Sequence, residues 1–319
     1  MKAVVCTKLG EPNLLEIQEI EKPKIAENEV LIKVEAAGVN FPDALLVQGK
    51  YQIVMDPPFT PGNEVCGFVE EVGKKVNIPI GTKVIGIPPV GGFAEYVAVN
   101  ENLVIPVKNT FDSLAGASLP INYGTSYYAL KRRANAKSGE TLLVLGASGG
   151  IGTSTIQLAK VMGLNTICAV GSKEKADYVK SLGADEIVRY DQVDLKETVK
   201  ELTSGKGVDI VIDPVGGETT EQALRATAFN GRLLVIGFAN GSIPFWKISR
   251  SHWGYTGQIR KPNWIQCRII NGDVLTGKTV GPDSYIGFYN NNISVLKEGN
   301  NYKLFGWIPF INNSVPSIY

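Results

Sequence analysis

The chain has 319 residues, 44% of them hydrophobic, enough for about two globular cores rather than one. Its 32 basic and 31 acidic residues leave a net charge of +1, which supplies no field for holding nucleic acid or an anionic membrane surface, so a small-molecule partner is expected. No apolar run approaches the roughly 20 residues that span a bilayer, and no membrane association is expected.

The first residues, MKAVVCTKLG, read as a strand and not as a signal or transit peptide, so a cytoplasmic location is expected. Cys6, Cys66, Cys168 and Cys267 are far apart and form no C-x-x-C pair, which argues against a disulfide framework or a cysteine zinc lobe. From Met1 to about Val107 apolar residues mostly alternate, as in VLIKVEAAG from Val30, EVCGFVEEVG from Glu64 and AEYVAV from Ala94. Pro57-Pro58, Pro61-Gly62, Pro88-Pro89 and Gly91-Gly92 punctuate these runs. Short antiparallel strands curling into a small barrel follow from that pattern.

After about Ser118 the rhythm changes. The stretch Thr141 to Ala159, TLLVLGASGGIGTSTIQLA, is a β-rich run that stops at Gly146, Gly149, Gly150 and Gly152, then continues with Ile156 and Ala159 at helical spacing. A strand, a tight glycine turn and a helix start are predicted. Such a turn lets backbone approach a ligand, and the helix start offers unpaired N–H groups and a positive dipole end, a combination suited to a pyrophosphate. The spacing is G-x-x-G-G-x-G instead of G-x-G-x-x-G, so the surroundings must decide. They do so by alternation: strand-like runs at Thr166–Val170, Glu186–Arg189, Asp209–Ile212 and Leu233–Ile236 are separated by helical stretches at Lys173–Leu182, Leu195–Leu202 and Thr220–Thr227. This predicts a doubly wound parallel sheet that binds a dinucleotide.

Folds of this kind that bind NAD usually carry an acid at the end of the second strand, about 20 residues past the loop, to hold the ribose 2′-hydroxyl. Here the chain reads Ala169-Val170-Gly171-Ser172-Lys173-Glu174-Lys175. Gly171 leaves room, Ser172 brings a hydroxyl, and Lys173 and Lys175 can offset a 2′-phosphate, so NADPH is preferred. The same lysines also suit the solvated face of a helix beginning near Ser172, and Glu174 keeps NADH open. Tyr190, at the end of the third strand, is aimed at the same crevice or simply packs there.

A series of motifs in this order resembles the zinc-independent quinone oxidoreductase branch of the medium-chain dehydrogenase/reductase superfamily. They are AAGVNFPDALLVQGKY from Ala36, PFTPGNEVCGFVEEVG from Pro58, GGFAEYV from Gly91, LPINYGTSYYAL from Leu119, GASGGIG from Gly146, DPVGG from Asp213 and GRLLVIGFANGSIP from Gly231. The resemblance implies an α/β chain with a GroES-like β-barrel catalytic domain over residues 1–118 and a Rossmann NADPH-binding domain over 119–245. Zinc members of the superfamily place Cys and His where this chain has Asn40 and Asn63. Amides are poor zinc ligands, Glu64 is one carboxylate, and His252 is the chain's single histidine, so no metal is expected.

Without a metal, the rate must come from holding a hydride donor against an electron-poor acceptor in a dry pocket. The resemblance implies that Asn40, Tyr51 and Thr125 line this pocket, with Asn40 and Tyr51 offering hydrogen bonds to a developing oxyanion. Each has a plainer reading: Asn40 as a loop cap, Tyr51 as core, and Thr125, just before a helical run, as an N-cap. The cofactor set is Gly146, Ala147, Ser148, Gly149, Gly150, Ile151 and Gly152 in the turn. The resemblance adds Gly171, Ser172, Lys175 and Tyr190 near the adenosine phosphate, Val215 near the ribose, and Gly237 and Phe238 beside the nicotinamide. Asp213 reads as structural.

Residues 246–319 lose the family pattern. The resemblance leaves a homodimer open, but the edge strand the family uses for it has no clear counterpart there, NNISVLKEG from Asn291 being the nearest, which puts the homodimer in doubt. A divergent ending, an alternative splice product or a shifted reading frame would each give such a tail. The expected activity is NADPH-dependent reduction of a small-molecule quinone. Reduction of an enone, or NADPH binding without catalysis, are the alternatives.

Overall fold

The computed structural model describes residues 1–51, 53–240, 266–269, 293–298 and 301–306. The chain divides into two compact units, Met1–Gly124 and Thr125–Tyr319.

In the first unit the alternating runs become β1 (Lys2–Val5), β2 (Glu16–Glu19), β3 (Glu29–Ala37), β4 (Val65–Val72), β5 (Lys83–Gly86), β6 (Tyr96–Asn100) and β7 (Val104–Pro106). A five-stranded antiparallel sheet has the order β6-β3-β4-β5-β7, and β1 pairs with β2. Period-two alternation puts Val30, Ile32, Val65, Val69, Val84, Val97 and Val99 in one buried cluster. The β3–β4 ladder shifts register twice, between Leu31 and Ile32 and between Val34 and Ala36. Such shifts bend a strand, and β3 leads within three residues into helix α1 (Phe41–Val47). Helices α2 (Ser113–Gly116) and α3 (Leu119–Tyr127) follow the sheet, and α3 continues as a π-helical turn, Tyr128–Arg133.

The second unit contains β8 (Thr141–Val144), α4 (Gly150–Val161), β9 (Asn165–Val170), α5 (Lys173–Ser181), β10 (Glu186–Arg189), α6 (Leu195–Leu202), β11 (Val208–Asp213), α7 (Glu218–Arg225), β12 (Thr227–Val235) and β13 (Gln266–Ile269). The sheet order is β10-β9-β8-β11-β12-β13, with all pairs parallel. This is the doubly wound arrangement, in which the order reverses between β8 and β11 and a crevice opens beyond their carboxyl ends. Each central strand is buried on both faces: Leu142 and Val144 pack into one cluster, Leu143 and Leu145 into the other. That two-sided burial explains why these strands read as continuous apolar runs.

Two readings need correction. Helix α7 ends at Arg225, and Thr227 already belongs to β12, which starts earlier than the apolar run at Leu233 suggests. The strand absorbs Asn230, whose φ is +59°, and its pairing with β11 shifts between Val208 and Ile210; a turn-like Asn-Gly pair sits here inside a bulged strand. Within the C-terminal segment, β13 extends the sheet, and β14 (Ile293–Glu298) pairs antiparallel with β15 (Asn301–Gly306). The rest of 246–319, including His252, lies outside the described residues.

Candidate functional site

The glycine turn sits at the switch point, and its glycines do different jobs. Gly146 has φ +55°, and a β-carbon there would fall 2.8 Å from Val215 Cγ2, so the turns after β8 and β11 touch across the crevice. Gly152 is buried, and a β-carbon on it would meet the Ala147 carbonyl oxygen at 2.4 Å, so it lets the first turn of α4 close onto the strand end. Gly149 and Gly150 are exposed at the helix start. Gly149 caps α4 without a side-chain hydrogen bond. The first N–H groups of a twelve-residue helix, on Gly150, Ile151 and Gly152, lack intrahelical acceptors and suit an anion at the helix start. Ser148 is half-buried, whereas Ala147 turns its methyl into the core and donates its N–H to the Ala169 carbonyl at 3.2 Å, building the loop from behind.

The second strand end follows the same logic. Ser172 is the N-cap of α5, accepting a hydrogen bond from the Lys175 N–H at 3.3 Å, which leaves its own hydroxyl hydrogen for a ligand. A β-carbon at Gly171 would stand 3.0 Å from the Tyr190 hydroxyl, so the tyrosine flanks the gap that a larger residue would close. Tyr190 is partly exposed, and its phenol is pushed up by burial first and by the Asp191 charge second. Lys173, Glu174 and Lys175 are exposed in the first turn of α5.

Across the crevice, the turns after β11 and β12 are laced together. The N–H groups of Ile236 and Gly237 donate to the Asp213 carbonyl, Ala239 to Pro214 and Asn240 to Val215. The Asp213 carboxylate is fully buried and accepts from the N–H groups of Val215 and Gly216 and from the Thr220 hydroxyl. Burial nevertheless raises its pKa. Asp213 thus shapes the loop carrying Val215, as its place before a proline suggested, and Gly237 and Phe238 are half-buried beside that loop.

Sequence reasoning missed a chain of buried hydroxyls beneath the glycine turn. Ser126 and Ser154 share a 2.7 Å hydrogen bond, Thr155 donates to Ser126 at 3.0 Å, and Ser154 donates to the Gly150 and Ile151 carbonyls. Thr125, next to Ser126, is the seventh residue of α3, so it lies inside a helix and not ahead of one as an N-cap.

In the first unit, Asn40 is half-buried at the start of α1, where its N–H donates to Asp43 Oδ2 at 2.8 Å. It is a cap and also more than a cap, because its Nδ2 donates to Glu64 Oε1 at 2.6 Å. Glu64 is 1% exposed, and its other oxygen accepts the Ile121 N–H at 2.9 Å. Its carboxyl pKa is raised, by burial most of all and slightly by Asp43, against those two hydrogen bonds. Tyr51 packs on the cluster of Cys6, Leu46, Val47 and Phe59 and lines a cavity of about 40 Å³ with Asp43, Asn63, Met55 and Val90. Burial, then the Asp43 charge, pushes its phenol up. Asn63 Oδ1 is buried with no hydrogen-bond partner. Among the described residues no three histidine, cysteine, aspartate or glutamate side chains gather into a metal-binding group.

Residues 26–109 match the alcohol dehydrogenase GroES-like domain, and residues 150–253 match the zinc-binding dehydrogenase domain. Quinone oxidoreductase-like protein 2 from Bos taurus is 38% identical over 244 residues, covering 76% of this chain and 69% of the relative. The chain belongs to the quinone oxidoreductases of the medium-chain dehydrogenase/reductase superfamily. Two solved quinone oxidoreductases agree. That of Thermus thermophilus, described alone and in complex with NADPH, is 38% identical with a TM-score of 0.67, covering 76% of this chain and 75% of its own. The Escherichia coli quinone oxidoreductase complexed with NADPH is 29% identical with a TM-score of 0.72, covering 76% and 75%. Although one of the matched domains is described as zinc-binding, this chain carries amides at Asn40 and Asn63, which are poor zinc ligands.

Proposed function

We propose that the protein transfers a hydride from NADPH to a quinone without a metal. The observation that carries this reading is the second strand end: Gly171 and Ser172 stand where an NAD-binding fold places an acid, beside the glycine turn. The two NADPH-complexed relatives support the same cofactor.

Bound NADPH supplies the hydride. The N–H groups of Gly150, Ile151 and Gly152 hold its pyrophosphate, in the turn formed with Gly146, Ala147, Ser148 and Gly149. By the family resemblance, Gly171, Ser172, Lys175 and Tyr190 would hold the adenosine phosphate, Val215 would lie near the ribose, and Gly237 and Phe238 beside the nicotinamide. The family resemblance assigns Asn40, Tyr51 and Thr125 to the substrate pocket, and Asn40 and Tyr51 would donate hydrogen bonds to the quinone oxygen as negative charge develops on it. Quinones suit such a site because they accept a hydride without a strong Lewis acid.

Turnover of NADPH with ortho-quinones, para-quinones and enones tests the assignment. Quinone reduction is expected; oxidation of NADPH by enones alone would replace the quinone with an enone, and stoichiometric zinc in the purified protein would overturn the metal-free mechanism. Buried free Cys6, Cys66 and Cys168 suit a reducing, cytoplasmic setting. Among the described residues no helix is long and apolar enough to cross a membrane. Light scattering would decide between a monomer and the homodimer that the family resemblance leaves open.

A further inference from the structure

We propose that Glu64 is a positioning residue that fixes which way round the Asn40 side-chain amide faces; its consequence for catalysis rests on the metal-free quinone reading above. Glu64 touches three segments of the first unit. Its Oε1 accepts from Asn40 Nδ2 at 2.6 Å and its Oε2 from the Ile121 N–H in α3 at 2.9 Å. Its backbone carbonyl accepts the Gly38 N–H at 3.0 Å. Gly38 is a glycine for the same reason, since a β-carbon there would lie 2.2 Å from Glu64 Oε1 and 2.2 Å from the Ala117 carbonyl oxygen. The carboxylate is therefore held in one place from two sides.

A carboxylate only accepts hydrogen bonds, whereas an amide can present either a donor or an acceptor edge. With Glu64 anionic, Asn40 must turn its NH2 group toward it, which leaves one N–H for a ligand and keeps its carbonyl oxygen on the Asp43 N–H of the capping box. The Ile121 donor is backbone and cannot be reversed. A glutamine at 64 must therefore give its oxygen to Ile121 and its NH2 to Asn40, which forces the Asn40 amide to turn over. Glu64→Gln thus keeps both of its own hydrogen bonds and the volume while inverting the Asn40 amide, and the Asp43 N–H that the amide oxygen releases stays paired with the Asn40 backbone carbonyl.

The test uses the full chain with 15N-asparagine labelling, the Asn40 side-chain resonances being assigned by their loss in Asn40→Ala. In the wild type one Asn40 N–H is expected downfield and slow to exchange, and Glu64→Gln should abolish that signature. With NADPH and an ortho-quinone, Glu64→Gln should lower kcat roughly tenfold, because a displaced donor is less damaging than a missing one, and leave the Kd for NADPH unchanged. In an Asn40→Ala background the same change should cost nothing further. Unchanged Asn40 resonances in Glu64→Gln, or an equal loss of kcat in the Asn40→Ala background, would overturn the proposal. Altered Asn40 resonances in Glu64→Gln, together with a wild type that reduces no quinone, would uphold the positioning role and sink the quinone reading instead.

Discussion

The Tyr190 ring lies across Gly171: a β-carbon at position 171 would be 3.0 Å from its hydroxyl oxygen, 3.1 Å from Cε2 and 3.2 Å from Cζ. Contacts this close require the ring to give way. Gly171→Ala should displace Tyr190 and weaken NADPH binding about tenfold, or ~1.4 kcal/mol, with little change in stability. Fluorescence titration of both proteins checks this, and equal Kd values would show that Tyr190 and Gly171 do not shape the phosphate site.

The glycines of the turn should separate into structural and exposed ones. A methyl at Gly152 meets the backbone carbonyl of Ala147 at 2.4 Å, which cannot move aside cheaply, whereas at Gly149 the nearest atom is 3.4 Å away and φ is −79°. Gly152→Ala should cost about 1–3 kcal/mol of stability, and Gly149→Ala close to none. Urea unfolding measures the difference; equal midpoints would mean that α4 does not depend on that close approach.

Asp213 offers a contrast with Glu64, because one of its three partners, the Thr220 hydroxyl, can reverse from donor to acceptor. Asp213→Asn should therefore fold with near wild-type stability. Asp213→Ala strands the N–H groups of Val215 and Gly216 and should lose about 1–3 kcal/mol for each donor left unpaired. Thermal unfolding of the two variants decides, and an asparagine as damaging as the alanine would refute the reversible-hydroxyl argument.

Asp43, Glu64 and Asp213 all hold their protons more tightly than free carboxyls, burial being the main cause in each. Above the unfolded-state pKa the folded state then binds more protons than the unfolded one, so these groups make stability fall as pH rises through their raised values. The stability of Asp213→Asn relative to wild type should accordingly improve as pH rises above the ordinary aspartate value. A pH-independent difference would contradict the shift. Glu64, with Asp43 the charged group acting on it, should also give the activity an acid limb above the ordinary glutamate value. Glu64→Gln should lack this limb.

The second unit was legible because its signals are local. Glycines 146 to 152, the two-sided apolar strands and the residue types at Gly171 and Ser172 lie within short stretches, and their geometry follows from backbone rules. Glu64 was legible only as an isolated carboxylate, since its partners Asn40 and Ile121 are 24 and 57 residues away in sequence. The Ser126–Ser154–Thr155 chain hides for the same reason, its members being ordinary small residues until α3 meets α4. Thr125 reads as a cap ahead of a helical run, whereas α3 already starts at Leu119 and runs through it. The strand expected at Leu233 starts at Thr227 because its first residues do not form a continuous apolar run and pass through a bulge that holds Asn230 at positive φ.

The central claim is metal-free hydride transfer from NADPH to a quinone, and steady-state oxidation of NADPH by an ortho-quinone tests it most directly when the full chain has first been dialysed against a chelator. The account predicts enzyme-dependent turnover that survives the chelator and is much slower with NADH. An absence of turnover, activity restored only by added zinc, or a preference for NADH would contradict it.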